Sequence, residues 1–242
     1  MVNLQAPKRV GILSYNIRHG KGLDGQIDLA RIAGVIRSAS PDIVALQEVD
    51  RRMSRTGYMD QAGELAHLTG MQVAFGRAMR FKEQGQYGNA ILSRWPITRA
   101  ETRPLPGKLE PRSVLIANMT ISTDKDNPVA ILFLATHLAL DEASRLRSVT
   151  EIASIVDTWP GPALLAGDLN AKPTSAVIDA LGQTWNNTTT GQELITFGPN
   201  PAQIDYIFYR PENRWHVVET RVIDERVASD HCPILAILDL SS

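Results

Sequence analysis

Five apolar runs in this chain each end in a polar residue that can do chemistry: Leu13-Ser14-Tyr15-Asn16, Val44-Ala45-Leu46-Gln47-Glu48, Phe133-Leu134-Ala135-Thr136-His137, Leu164-Leu165-Ala166-Gly167-Asp168-Leu169-Asn170 and Ile204-Asp205. A sixth cluster, Ser229-Asp230-His231, leads into the last apolar run. The ends of buried strands are where an α/β scaffold presents reactive groups on a rigid frame. One such residue would mean little. A series of carboxylates, amides and imidazoles in chain order is hard to explain by packing, and it points to an enzyme built around an oxygen-ligated metal.

The Glu48 carboxylate emerges from a buried strand and is a candidate anchor for a hard divalent cation, which takes oxygen ligands and few protein carboxylates. The competing reading is a strand-end ion pair with Arg51 or Arg52. Asn16 offers a carbonyl oxygen beside Glu48, or serves as a turn residue. Asp168 and Asn170 project to one side if the strand continues that far. A carboxylate that orients water and an amide that donates to a phosphoryl oxygen suit an in-line displacement; the alternative is an Asx turn. His137 closes an otherwise apolar strand, where a lone histidine is often structural. His231 differs, because Asp230 precedes it and Asp205 offers a carboxylate from another strand. Such a carboxylate fixes the imidazole tautomer and raises the basicity of the far nitrogen.

These groups need strands and helices to hold them. The 242 residues fit one domain, 1–242, with hydrophobic residues at 43% and charged residues at 21%, ordinary for a globular chain. The formal net charge of -1 supplies no general attraction for nucleic acid or an anionic membrane. Cys232 is the only cysteine, which excludes an internal disulfide and a thiolate-rich metal site. No run approaches the roughly 18 apolar residues of a membrane helix, and the first residues lack the pattern of an export signal. A cytoplasmic monomer is expected, with an exported form as the alternative.

Strands are predicted at Val10 to Asn16, Ile43 to Glu48, Met71 to Phe75, Asn89 to Ser93, Ser113 to Ile121, Val129 to His137, Ala163 to Asp168, Ile204 to Tyr209, Val217 to Val222 and Pro233 to Leu238. Several are continuous apolar runs, as in strands covered on both faces. Helices are expected at Leu29 to Ser38 after an Asp28 cap, Gln61 to Thr69 between Asp60 and Gly70, and Ala143 to Thr158. A short helix capped by Thr174 should run to Leu181. Back-to-back strands between Asn89 and His137 favour antiparallel pairing. Two facing sheets with helices outside satisfy both observations.

Tyr15-Asn16, Gln47-Glu48-Val49, Tyr87-Gly88-Asn89-Ala90-Ile91-Leu92-Ser93, Thr136-His137-Leu138, Gly167-Asp168-Leu169-Asn170, Ile204-Asp205-Tyr206-Ile207 and Ser229-Asp230-His231 resemble, in order, the motif series of the endonuclease/exonuclease/phosphatase superfamily. The resemblance implies a four-layered α/β sandwich with two central mixed β-sheets flanked by helices, and a Mg²⁺ or Mn²⁺ dependent phosphoester hydrolase. It further implies Glu48 as main metal ligand with Asn16 and Asp230 near the metal. Asp168 would activate water, Asn170 would hold the phosphoryl group, and Asp205 would orient His231. His137 matches the histidine of the deoxyribonuclease, sphingomyelinase and inositol phosphatase branches; the abasic-site endonucleases carry tyrosine there. Asn89 falls in a motif expected to bind substrate. Arg112 stands where the family often places an arginine facing the site, and is open between that role and a solvated charge. Arg51, Arg55, Arg80 and Lys82 are open between binding a second anionic group and simple exposure.

The expected substrate is a small-molecule or lipid-headgroup phosphodiester or phosphomonoester. The alternative is a nuclease acting on DNA or RNA, whose duplex-binding relatives need basic surface across many phosphates. A binding protein that kept the fold and lost the chemistry should have lost Glu48, Asp168 or His231, and all three are present.

Overall fold

The computed structural model describes residues 8–81, 84–122, 128–189, 191 and 194–241. The N-terminal reading of residues 1–7 and the expectation for Lys82 lie outside them. Among the described residues, the first sheet takes the order β11-β12-β1-β2-β4-β3 and the second β5-β6-β7-β8-β10-β9. The first contains β1 (Lys8–Asn16), β2 (Ile43–Arg51), β3 (Gln72–Arg80), β4 (Gln86–Ser93), β11 (Trp215–Val222) and β12 (Ile234–Leu240). The second contains β5 (Ile97–Leu105), β6 (Arg112–Ile121), β7 (Val129–His137), β8 (Ala163–Asp168), β9 (Asn186–Asn187) and β10 (Asp205–Arg210).

The apolar runs are continuous because each strand is buried on both sides. Val10, Ile12, Ile43 and Ala45 meet Phe133, Ala135, Leu164 and Ala166 between the sheets. Their strand neighbours face outward onto helices: Leu13, Tyr15, Val44 and Leu46 pack with Ile32, Ile36 and Leu65. Leu132, Leu134 and Leu165 pack with Val149, Ile152 and Val177. Helices α1 (Leu29–Ala39) and α2 (Gln61–Thr69) thus cover one sheet, and α3 (Glu142–Asp157) and α4 (Ala176–Leu181) the other. This is the four-layered sandwich.

Local chemistry sets the helix boundaries. Asp28 accepts a hydrogen bond from the Arg31 N–H at 2.9 Å, Asp60 from Gly63 at 3.2 Å and Asp141 from Ser144 at 3.0 Å, each satisfying a free helix donor. Gly70 closes α2 in the left-handed conformation, φ 71°. At α4 the cap is Ser175, not the expected Thr174, and its side chain makes no capping bond. Strand β5 had no sequence signal. It is the second sheet's edge, mostly exposed, and reads Ile-Thr-Arg-Ala-Glu-Thr-Arg-Pro-Leu. Charges and a proline protect such an edge and hide its apolar period.

Topology sends the polar strand ends to one rim. Strands β1 and β2 run parallel, as do β7 and β8, so Asn16, Glu48, His137 and Asp168 lie toward the C-terminal ends of two parallel pairs. Strands β10 and β12 run antiparallel to β8 and β1, so Asp205 and the His231 segment enter at that same rim. Strand β6 begins there with Arg112.

Candidate functional site

Glu48 sits where the β2–β4 register shifts between Leu46 and Val49. Its φ is 58°, a left-handed conformation that costs a non-glycine residue about 1 kcal/mol or more. A bulge re-aims one side chain out of a strand's alternation. Here it turns Glu48 to Asn16, whose Nδ2 donates to Glu48 Oε1 and to Asp168 Oδ2, both at 3.1 Å. Two carboxylates converge on one amide, and both amide hydrogens are used. The Asn16 side-chain oxygen accepts the Arg18 N–H at 3.1 Å, which leaves it one further lone pair. Burial is the largest influence raising the Glu48 pKa; the Asn16 bond opposes it, and Asp168 and Asp230 add to it.

Asp168 follows Gly167, whose place no larger residue could take, because a Cβ would overlap the Thr136 carbonyl oxygen. The strand ends here and does not carry Asn170 to the same side. Asn170 takes φ 49°, its N–H donates to Asp168 Oδ1 at 2.9 Å, and one amide hydrogen goes to the Leu138 carbonyl at 3.0 Å. This is the Asx-turn alternative, and it leaves Asn170 one further amide hydrogen.

Two histidines flank Asp168 Oδ2, with Nε2 of His137 at 3.4 Å and of His231 at 3.7 Å. Arg112 Nη1 stands 3.3 Å from His137 Nδ1. A guanidinium can only donate, so Nδ1 accepts and the His137 proton sits on Nε2, toward Asp168. Burial lowers the His137 pKa to about 4, with Asp168 opposing and Arg112 assisting, so the ring is neutral at pH 7. At His231, burial also acts downward. The Asp205 charge and its 2.9 Å hydrogen bond to Nδ1, with Asp168 and Asp230, overcome it and raise the pKa to about 10. That ring is an imidazolium.

Asp205 is held in turn, its N–H donating to Thr196 Oγ1 at 3.1 Å. The Phe197 ring lies 4.9 Å from that of His231. Ser229 Oγ donates to the Asn16 carbonyl at 2.8 Å, tying the Asp230 segment to β1. Asp230 pairs with Arg18 at 3.4 Å. Arg18, His19 and Gly20 have φ of 46°, 45° and 75°, a run of left-handed backbone beside the site that no residue type announced. Arg112 is no solvated charge: its side chain is 5% exposed and pairs with Glu110. Tyr87 is buried beside it, its pKa raised by burial first and then by the Glu48 and Glu110 charges. Its place in the Tyr87-Gly88-Asn89 segment was the available signal.

Asn89 spends one amide hydrogen on the Ser113 carbonyl at 3.0 Å, a buried bond joining the two sheets. The loop cations are largely neutralised. Arg51 donates to Asp60 at 2.9 Å, and Arg55 makes two 2.7 Å bonds to fully buried Asp50. Arg80 is exposed.

Asp168, Asp205 and His231 bring ligand-type atoms within 4.8 Å of one another. In that grouping the His231 Nδ1 proton is committed to Asp205, which leaves Nε2 as the ring atom facing the site. The Glu48 end also fits a divalent cation. The donors there are carboxylate oxygens, and burial, with the Asp168 and Asp230 charges, disfavours the negative charge of Glu48 unless a cation offsets it. Among the described residues, no helix is long and apolar enough to cross a membrane.

Fold and site together define a four-layered α/β sandwich whose carboxylates, amides and imidazoles meet on the shared rim of its two sheets. The Endonuclease/Exonuclease/phosphatase family profile matches residues 13–231, and the chain belongs to that family. It is 31% identical over 171 residues to the uncharacterized protein YbhP of Escherichia coli (strain K12), a match spanning 66% of each chain. It superposes on an endonuclease/exonuclease/phosphatase from Beutenbergia cavernae with TM-score 0.80 and 25% identity, covering 97% of this chain and 72% of that one. A mannosyl-6-phosphatase from Bacteroides thetaiotaomicron superposes with TM-score 0.70 and 21% identity, covering 95% and 99%.

Proposed function

We propose that this protein hydrolyses a phosphoester bond with Mg²⁺ or Mn²⁺, acting on a small-molecule or lipid-headgroup monoester or diester. The observation that carries the reading is Asp168 Oδ2 between a neutral and a protonated histidine, with Asn16 linking it to Glu48. Glu48 and Asp230 would hold the ion, which when bound supplies positive charge to the phosphoryl oxygens. Asp168 orients the attacking water and receives its proton, its rotamer held by Asn16 and the Asn170 N–H. His231 donates from Nε2 to a phosphoryl oxygen, while Asp205 keeps the proton on Nδ1. The remaining amide hydrogen of Asn170 is a second donor for the phosphoryl group. His137 and Arg112 form the wall beyond Asp168.

A duplex track would need many free cations, whereas net charge is -1 and Arg51 and Arg55 are paired. The test is a screen of metal-loaded protein against phosphomonoesters, headgroup phosphodiesters and single- and double-stranded nucleic acid. A small ester should be turned over best, with weak salt dependence. Best turnover of duplex DNA, collapsing between about 50 and 200 mM salt as many-phosphate binding does, would replace this reading with a nuclease. Excess chelator should abolish activity. Glu48→Gln should raise the Mg²⁺ concentration needed for half-maximal activity by at least about tenfold, since an amide is a far poorer ligand for a hard cation. Unchanged metal dependence would remove Glu48 from the metal site.

A further inference from the structure

We propose that an apolar groove opening beside Asp230 receives the organic part of the phosphoester, and that this part is an aryl or alkyl group. The inference rests on the phosphoesterase reading above and names its substrate class. The groove has a volume of about 660 Å³, in the range of small-ligand sites. Its walls are Leu23, Ile195, Pro199, Pro201 and Val222. Leu23 and Ile195 are 57% and 46% exposed, apolar surface that a globular chain ordinarily leaves scattered and that here lines one concavity.

Continuity with the site says what fills it. Ser229 and Asp230 line the groove too, and Asp230 bears electrostatically on Glu48 and His231. The segment that walls the groove is also the one that packs on His231: Phe197 touches that ring, and the Gly198 N–H donates to the Asp230 carbonyl at 3.0 Å. A phosphoryl group held by His231 therefore has the groove within reach of its ester substituent.

The lining chemistry favours apolar substituents, because apolar side chains form most of its walls and its buried polar groups are engaged. The Ser229 hydroxyl donates to the Asn16 carbonyl, and the Cys232 thiol to the Glu225 carbonyl at 3.2 Å. Asp224 pairs with Arg226, and Asp230 with Arg18. Pro199 and Pro201 have no N–H to give. Against the Leu23, Ile195, Pro199, Pro201 and Val222 walls a sugar or nucleoside would lose water from its hydroxyls and base edges without recovering those hydrogen bonds, leaving only the exposed Asp224–Arg226 pair to receive them. Aryl or alkyl surface gains by the same transfer.

The experiment measures binding of naphthylmethylphosphonate, methylphosphonate and inorganic phosphate by calorimetry in excess Mg²⁺, for the wild type, Ile195→Asp and Leu23→Ser. Both substitutions fall at exposed side chains outside the acid–base array. Burial of an aryl group on the order of 100 Å² should make the naphthyl ligand bind roughly 10 to 100-fold tighter than the methyl ligand. Each substitution should cut that ratio at least about threefold and leave inorganic phosphate affinity unchanged. In turnover, naphthyl phosphate should exceed a hexose phosphate in kcat/KM. A ratio near one in the wild type, or one that both variants leave intact while phosphate binds, overturns the groove assignment. Failure of phosphate to bind, with no metal-dependent hydrolysis of any phosphoester, overturns the functional reading beneath it and the groove's occupant with it.

Discussion

His137 and His231 approach the same oxygen of Asp168 from opposite strand systems, and both are buried, yet their charges differ. His137 ends β7 with a guanidinium behind it, and burial together with Arg112 holds its pKa near 4. His231 precedes β12 with a carboxylate behind it, and Asp205 carries its pKa to about 10 against the same cost of burial. Burial decides the state of His137, whereas the Asp205 carboxylate behind the ring decides that of His231. Asp168 is thereby given one fixed neutral donor and one cation, different tools from one residue type.

The largest effects should come from breaking the charged side of this pair. Asp168→Asn and His231→Ala should each lower kcat by at least the roughly 10² to 10⁴-fold typical of acid–base groups. His137→Asn should cost less than His231→Ala, because it removes a neutral positioning donor. Steady-state kinetics on variants with native circular dichroism decide it. Near wild-type kcat for His231→Ala, or a larger loss for His137→Asn, would reverse the assigned roles.

The charge difference was only half legible in the sequence. The Asp205–His231 pairing was inferable, since a strand-initial aspartate and an Asp-His pair both flank apolar runs. The Arg112–His137 contact was not, because Arg112 stands among Glu110 and Pro111 with no apolar run before it, and β6 must be aligned on β7 before the two meet. The strands that carry the site were visible because burial on both faces makes their runs continuous. Strand β5, exposed at an edge, carries no such run. The backbone twists that aim Glu48, Arg18 and Asn170 were hidden for another reason: φ near 50° in residues other than glycine is imposed by bulges and turns that tertiary contacts stabilise.

A smaller effect should sharpen the origin of the His231 charge. Asp205→Asn keeps an acceptor for the Nδ1 proton but removes the carboxylate charge that raises the His231 pKa, so the folded pKa should drop from about 10 toward 6.5. The alkaline limb of the kcat/KM profile should move down by at least about one unit, with a moderate loss at low pH. An unmoved alkaline limb, with activity measurable, would show that the working form of His231 is not the imidazolium.

The smallest expected effect is on stability, and it isolates the neutral side. The unfolded His137 titrates near 6.5 and the folded ring near 4, so between those values the unfolded state binds more protons. His137 therefore contributes stability that is present above pH 6.5 and lost as pH falls through about 4. Urea unfolding in chelator should show the wild type losing stability across that window, by an amount of order 2 to 3 kcal/mol from this residue. His137→Asn should lower stability at pH 7 and flatten the slope between pH 6.5 and 4, because asparagine has no proton to gain. Carboxylates titrate in the same window in both proteins and cancel in the difference, as long as Asp168 keeps its other partners, Asn16 and the Asn170 N–H. Parallel curves for the two proteins would mean that His137 takes up its proton without cost in the fold, and that burial does not hold the ring neutral.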